Sequence, residues 1–518
     1  MCLAFILTKI KGEMKMNFAQ AMTKETQKKL TENGAVAYST TNDKLVDLFA
    51  TIGALRPRSE EEIQTKFAAA FNQNPLLATK MLFYARDIRY GGLGERRTFR
   101  ACLSWLSNFH PEIVTKNIIN ISIFGRIDDM YCLFDTEDKK NKKDVLDFIA
   151  SLLESDIIAA GDNKPVSLLA KWLPSENTSS AKTKRYATII RKGLGLKSDT
   201  YRKVLSRLRE YIKVTERQMS LGQWSEIDYP KVPSYAMLRY RGAFVKRDTQ
   251  RFSEYIQSLK KGEVKINAST LFPYDLVHNY TQGNYWNKIA KNDDVIEEQW
   301  KALPNYVSGD NNFIVMADIS GSMCGRPIET SVGLATYFAQ RNKGAYEGLY
   351  MTFTDKPHFV SIKDCGDLKT SLNKVFGTDV GYSTNLKAAF NYILETAVRG
   401  GVSAEEMPKA LVVVSDMEID PFFPNPVYSY GGYRGQTLDF VEVVKRDFEK
   451  AGYQLPKLVL WNVDSRQDTF LSQNDDIVFV SGQSPSVFKN LCGALEGKTA
   501  FDFMCEVLNA KVYDCITI

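Results

Sequence analysis

The chain of 518 residues is poor in histidine, with three, and its eight cysteines are scattered with no Cys-x-x-Cys pair among them. Zinc cages and dense disulfide frameworks need such residues at short spacings, so neither is expected to organise the fold. His110, His278 and His358 are far apart in sequence and form no HExxH or HxH motif. No cysteine sits in a recognisable nucleophile motif. These absences place a metal-dependent hydrolase last among the functions weighed, and the chain reads as a non-enzyme. Long apolar runs are missing too: no window approaches the roughly 20 residues that span a bilayer. The opening MCLAFILTKIKG lacks a basic n-region and a small-residue cleavage site. Residues 1–16 are therefore read as a loosely ordered leader, with Met16 as a second possible start. Scattered cysteines fit a reducing compartment, so the expected location is cytoplasmic, with no membrane partner.

What is present is the balance of a globular protein, 44% hydrophobic and 25% charged. The length exceeds what one core usually organises, so two or more domains are expected. From residue 17 to 300 apolar residues recur at helical spacing, as in TKFAAAFNQNPLLATKMLFYARDI, and strand-like runs are almost lacking. Gly, Pro and Ser break the pattern at YGGLGERR, KWLPSENTSS and DYPKVPSYAM. Ten to fifteen helices of average length of about 11 to 12 residues fit this region. Stacked HEAT-like pairs are expected for it, although no clean repeat period is present. From residue 311 to 518 the pattern changes. FIVMADIS, GLYMTFTD, HFVSI, KALVVVSDM, KLVLWNVD and IVFVSG alternate with amphipathic stretches, which predicts a doubly wound α/β sheet. Lys356 and Pro357 leave no room for a crossover between the second and third runs, so one antiparallel strand is expected at the sheet edge.

FIVMADISGSMCGRP sets Asp318, Ser320 and Ser322 at the carboxyl end of a buried strand, where open α/β sheets bind ligands. GYSTNLKAAF adds Thr384 before a helix, and VVVSDMEID ends another strand with Asp416. Oxygen donors of this kind suit a hard cation such as Mg²⁺. The DxSxS, the threonine and the second aspartate, in that order, resemble the metal-ion-dependent adhesion site of von Willebrand factor A domains. The resemblance implies that Asp318, Ser320, Ser322, Thr384 and Asp416 hold Mg²⁺, or another divalent cation such as Mn²⁺ or Ca²⁺. It also implies one free coordination position for an acidic group of a partner. After Asp416, the loop PFFPNPVYSYGGYRG crowds Phe422, Phe423, Tyr428, Tyr430, Tyr433 and Arg434 beside this face. They form either a binding lip or a loop packed on its own domain.

A helical half before an A domain also resembles the Ro ribonucleoprotein family, a TROVE (telomerase, Ro and vault) module followed by a von Willebrand factor A domain. FYARDIRYGGLGERRTFRACL, FGRIDDMYCL, YRKVLSRLREYIKVTERQMS and VPSYAMLRYRGAF carry that likeness, which is nearer to the family's viral, bacterial and plant relatives. It implies helical repeats that close into a ring and take small noncoding or misfolded RNA with single-stranded ends. Charge points the same way: between Lys164 and Arg251 there are twenty Lys and Arg against seven Asp and Glu. Lys203, Arg207, Arg239 and Arg241 join a stripe of Arg209, Lys213 and Arg217 at i, i+4, i+8 as the expected RNA contacts. Tyr201, Tyr211, Trp224, Tyr229, Tyr235 and Tyr240 are interleaved, as stacking on unpaired bases requires. Gly91, Gly92 and Gly94 among arginines read either as a phosphate cradle or as a turn between helices. The alternative to RNA binding is a metal-dependent protein adaptor, such as a viral assembly factor, with the helical half as scaffold.

Overall fold

A strand that is apolar at nearly every position needs cover on both faces, and in the computed structural model of the chain every residue of Phe313–Asp318 is buried. The structure describes residues 22, 26–307, 311–354, 356–378, 384–421, 428–429, 432–433, 440–473, 477–492 and 497–518, the pairs 428–429 and 432–433 by backbone alone. The leader expected over 1–16 lies outside the described residues, as do Phe422, Phe423, Tyr430 and Arg434 of the aromatic loop.

Fourteen α-helices run between Lys44 and Lys301 among the described residues, within the expected range. Ser59 and Glu62 form a capping box at Glu60–Gln73, and Asn74 caps Pro75–Arg86, whose proline stands at the helix start. The expectation of a region almost without strands is corrected at its beginning. Strands β1 (Lys28–Leu30) and β2 (Val36–Tyr38) pair antiparallel, and the chain reverses between them through Asn33 and Gly34, the latter at φ +92°.

The C-terminal half forms a mixed six-stranded sheet. Its strands are β3 (Phe313–Asp318), β4 (Leu349–Phe353), β5 (Phe359–Ser361), β6 (Ala410–Ser415), β9 (Lys457–Asn462) and β10 (Ile477–Ser481), while β7 (Tyr428–Ser429) and β8 (Gly432–Tyr433) pair apart from it. The order is β10-β9-β6-β3-β4-β5. All neighbours are parallel except β4 and β5, the expected edge hairpin, where Tyr350 pairs with Val360. From β3 the chain goes to β4 on one side and later to β6 on the other. The crevice between β3 and β6 is therefore the topological switch point, where ligands of open α/β sheets bind.

Side chains alternate across the sheet as a two-residue period requires. Ile314, Met316, Leu411 and Val413 join one apolar cluster with Phe390 and Phe448 of the helices Leu386–Gly400 and Phe440–Lys450. Phe313, Val315, Val412 and Val414 join the other, which runs on through the helix Arg326–Arg341 into the helical half as far as Phe67 and Phe83. The halves meet closely. A Cβ on Gly53 would lie 2.6 Å from the Cα of Gly482, and one on Gly333 would lie 3.0 Å from Pro273. Tyr513 donates to Asp87, and Asn117 and Asn120 donate to the carbonyls of Thr517 and Cys515.

Candidate metal centre

The sheet carries Asp318 and Asp416 to the same edge: Asp318 ends β3 and Asp416 follows β6, its neighbour. Both are buried, as are Ser320 and Thr384. One Asp318 oxygen accepts from the Ser320 N–H at 2.9 Å and the other from the Ser415 hydroxyl at 2.5 Å. The hydroxyls of Ser320 and Ser322 lie 3.1 Å apart. Asp416 accepts from the Glu418 N–H at 3.1 Å, and its other oxygen accepts from the Arg466 guanidinium. Met417, between them, is a buried non-glycine residue at φ +68°, a strained conformation of the kind that collects at functional sites.

Thr384 is placed differently from its four companions. Its hydroxyl donates to the Glu418 carbonyl at 3.1 Å and accepts from the Asp420 N–H and the Asn33 side chain. It thus holds the segment after Asp416 in place.

Burial, with the charge of Asp416 adding to it, raises the Asp318 carboxyl well above the usual carboxylate range. Glu418 and Asp464 are raised as well, by burial first. Burial works against the Arg466 charge, yet Asp416 and Glu32 hold its guanidinium above the ordinary arginine value. One Glu418 oxygen, Oε1, is buried with no hydrogen-bond partner.

A hard cation fits this donor set. The oxygens are carboxylate and hydroxyl, one buried carboxylate oxygen is unmatched, and the acids outnumber the single guanidinium they surround. Among the described residues no three His, Cys, Asp or Glu side chains gather as a cage. An ion here would therefore depend on the hydroxyls of Ser320 and Ser322 and on water as much as on Asp318 and Asp416.

Sequence reasoning missed Arg466, Glu32, Asn33 and Glu418. Asn-Gly between KKL and VAY is a hairpin signal that was available for the loop carrying Glu32. Arg466 lies just beyond β9, and only the order of strands brings it beside Asp416.

The expected RNA contacts separate into two groups. The stripe of Arg209, Lys213 and Arg217 is corrected: the helix Ser198–Tyr211 stops before Lys213, which sits at φ +50°, and a new helix begins at Thr215. Arg209 points inward, donating to the Ala170 and Leu173 carbonyls and to Ser175, and burial lowers its pKa. Arg217 pairs with Glu210 at 3.1 Å. Arg241 is held by Asp293, Asn279 and the Leu238 carbonyl. Lys203, Arg207, Lys213 and Arg239 are exposed. Of the aromatics, Tyr201 and Tyr229 are buried, Tyr211 donates to the Lys164 carbonyl, and Tyr235 is 57% exposed.

Of the two readings of Gly91 to Gly94, the structure favours the turn between helices. Asp87 takes the N–H groups of Arg89, Tyr90 and Gly92, and Arg86 and Arg96 are paired with Asp129 and Asp128.

Comparison with known proteins follows the same division of the chain. Residues 312–504 match the model of a family described as Domain of unknown function (DUF7788). Residues 31–131 and 191–310 match that of Domain of unknown function (DUF2828). The chain is also similar to Uncharacterized protein L728 of Acanthamoeba polyphaga mimivirus, at 29% identity over 508 residues, covering 90% of this chain and 85% of that protein. That alignment is long enough to cross both halves. No solved structure matches the chain. Among the described residues no helix is long and apolar enough to cross a membrane.

Proposed function

We propose that residues 311–518 form a von Willebrand factor A-type domain whose switch-point loops hold a divalent cation, Mg²⁺ before Mn²⁺ or Ca²⁺, and through it take an acidic group. One observation carries the reading: Asp318 and Asp416, both buried, gather at the switch point with the paired hydroxyls of Ser320 and Ser322. A bound ion would offer a coordination position to a carboxylate; these side chains would hold the ion, and Thr384 would fix the loop. The reading assigns no catalytic residue. Cys102, Cys132, Cys324, Cys365, Cys505 and Cys515 are free thiols, which supports a reducing, cytoplasmic setting. Calorimetric titration with Mn²⁺ tests the site. The parent should bind the ion, and Asp318→Ala should lose at least about tenfold in affinity, as loss of a ligand entails. A parent that binds no Mn²⁺ at millimolar concentration sinks the reading.

A second reading, a Ro-like helical module that captures noncoding or misfolded RNA, is favoured by exposed cations on two helices. Lys203 and Arg207 are exposed one helical turn apart, and Tyr235 and Arg239 are exposed with the same spacing on the helix Ser234–Arg247. An exposed cation one helical turn from an exposed ring suits single-stranded RNA. Each phosphate neutralised adds about −0.7 to the slope of log affinity against log salt. Replacing Lys203, Arg207 and Arg239 together by Gln should flatten that slope by up to about 2. An unchanged slope and affinity would leave the protein-adaptor reading alone.

A further inference from the structure

The loop between β1 and β2 lies against the candidate metal centre. Thr31 donates to the Ile419 carbonyl at 2.6 Å, and Asn33 donates to the Glu418 carbonyl at 2.7 Å and to the Thr384 hydroxyl at 3.3 Å. The Glu32 N–H donates to the Glu418 carboxylate at 2.5 Å. Farther along the hairpin, Tyr38 and Phe470 exchange two backbone bonds of 2.8 and 2.9 Å. None of these contacts uses the Glu32 carboxylate. They only fix where it stands.

It stands across one guanidinium from Asp416. Arg466 pairs with Asp416 through Nη2, which also lies 3.4 Å from the Ser322 carbonyl, and its Nη1 is 3.7 Å from Glu32. The arrangement is two carboxylates bridged by a cation. As a bridge the guanidinium is imperfect. Its Nε is buried without a hydrogen-bond partner, with Asp464 at 3.6 Å. Glu418, 1% exposed and bonded through its other oxygen to the Glu32 N–H, also keeps an unmatched buried oxygen. The unmatched Glu418 oxygen costs stability that a better-fitting cation would recover, and the unmatched Arg466 N–H marks how poorly the guanidinium fits.

We infer that Glu32 is the chain's own acidic ligand for the ion at the switch point, that Arg466 stands in as a tethered cation when no ion is bound, and that the ion fastens the N-terminal hairpin to the sheet. The inference rests on the metal reading proposed above and names the acidic group that reading calls for. An acidic partner from outside would then have to displace Glu32. Arg466 and the ion compete for Asp416, so the two residues act on ion affinity with opposite signs.

The test uses the full chain and Mn²⁺ alone, with affinity read by calorimetry and the hairpin read by amide hydrogen exchange at residues 28–38. Glu32→Gln removes the charge from a side chain 41% exposed and keeps the backbone bond to Glu418, so the fold is expected to survive. It should weaken Mn²⁺ about tenfold or more, the usual scale for a lost metal-site partner. Arg466→Gln should bind Mn²⁺ more tightly than the parent. Mn²⁺ should slow exchange in the hairpin of the parent and leave that of Glu32→Gln unchanged. If the parent binds Mn²⁺ and Glu32→Gln binds it equally well, with hairpin exchange indifferent to the ion, the inference is overturned and the metal reading stands. If the parent binds no Mn²⁺, both fall.

Discussion

A carboxyl taken out of water keeps its proton to higher pH, and Asp275 carries this effect outside the candidate metal centre. Its side chain caps the helix Pro273–Thr281 by accepting from the Phe272 N–H at 2.9 Å, and it faces Arg56, His278 and Glu329. Burial outweighs the helpful N–H and arginine and raises its pKa to about 6. The folded state thus holds this proton more firmly than the unfolded chain does. The contribution to stability is complete below about pH 4 and is lost as pH rises through about 6, for a total of at most about 3 kcal/mol. Asp275→Asn keeps an acceptor for Phe272 and removes the titration. Relative to the parent, the variant should gain stability between pH 4.5 and pH 7.5 in urea melts, and an equal difference at both pH values would refute the assignment.

Among the elements, the six strands of the sheet were legible because a strand covered on both faces must be apolar at nearly every position, and β3 and β6 are. The edge hairpin was legible because two residues cannot make a crossover. Asp318, Ser320 and Ser322 were legible for a related reason: Asp318 ends one strand and the serines follow it closely enough that local sequence fixes their place. β1 and β2, with three residues each, are too short to show alternation, so the loop that brings Glu32 and Asn33 to the candidate metal centre could be read only from its Asn-Gly pair. The basic stripe failed for an opposite reason. Arg209, Lys213 and Arg217 keep helical spacing in sequence, but the helix ends at Tyr211 without a glycine or proline to mark it. Arg209 then serves as a structural donor to three groups around 170–175, a role that spacing alone does not distinguish from exposure. Arg466 shows the limit most plainly, since its meeting with Asp416 depends on β9 lying beside β6.

At the scale of the whole molecule the length suggested two or more domains, and the packing joins the two halves through a shared core. One apolar cluster passes from Phe67 and Phe83 through Tyr513 and Phe338 to Val315 and Trp461. Aromatic contacts cross the join, with Phe124 on Tyr513 at 5.4 Å, Tyr285 on Phe376 at 5.6 Å and Phe49 against Phe503 at 6.3 Å. Chains of this size commonly unfold in stages, domain by domain. A shared core removes that freedom, because either half alone would present these rings to water. The full chain should therefore unfold in a single calorimetric transition whose van't Hoff and calorimetric enthalpies agree. Gly53→Ala sharpens the test, since its Cβ would press on the Gly482 backbone at the join. Overpacking of that kind costs roughly 1–3 kcal/mol. With a shared core the whole transition moves to lower temperature in the variant. If the halves were independent, the join would loosen and the unfolding of the sheet would stay where it was. Two resolved transitions in the parent, or a variant in which only one of them shifts, would show that the halves stand apart.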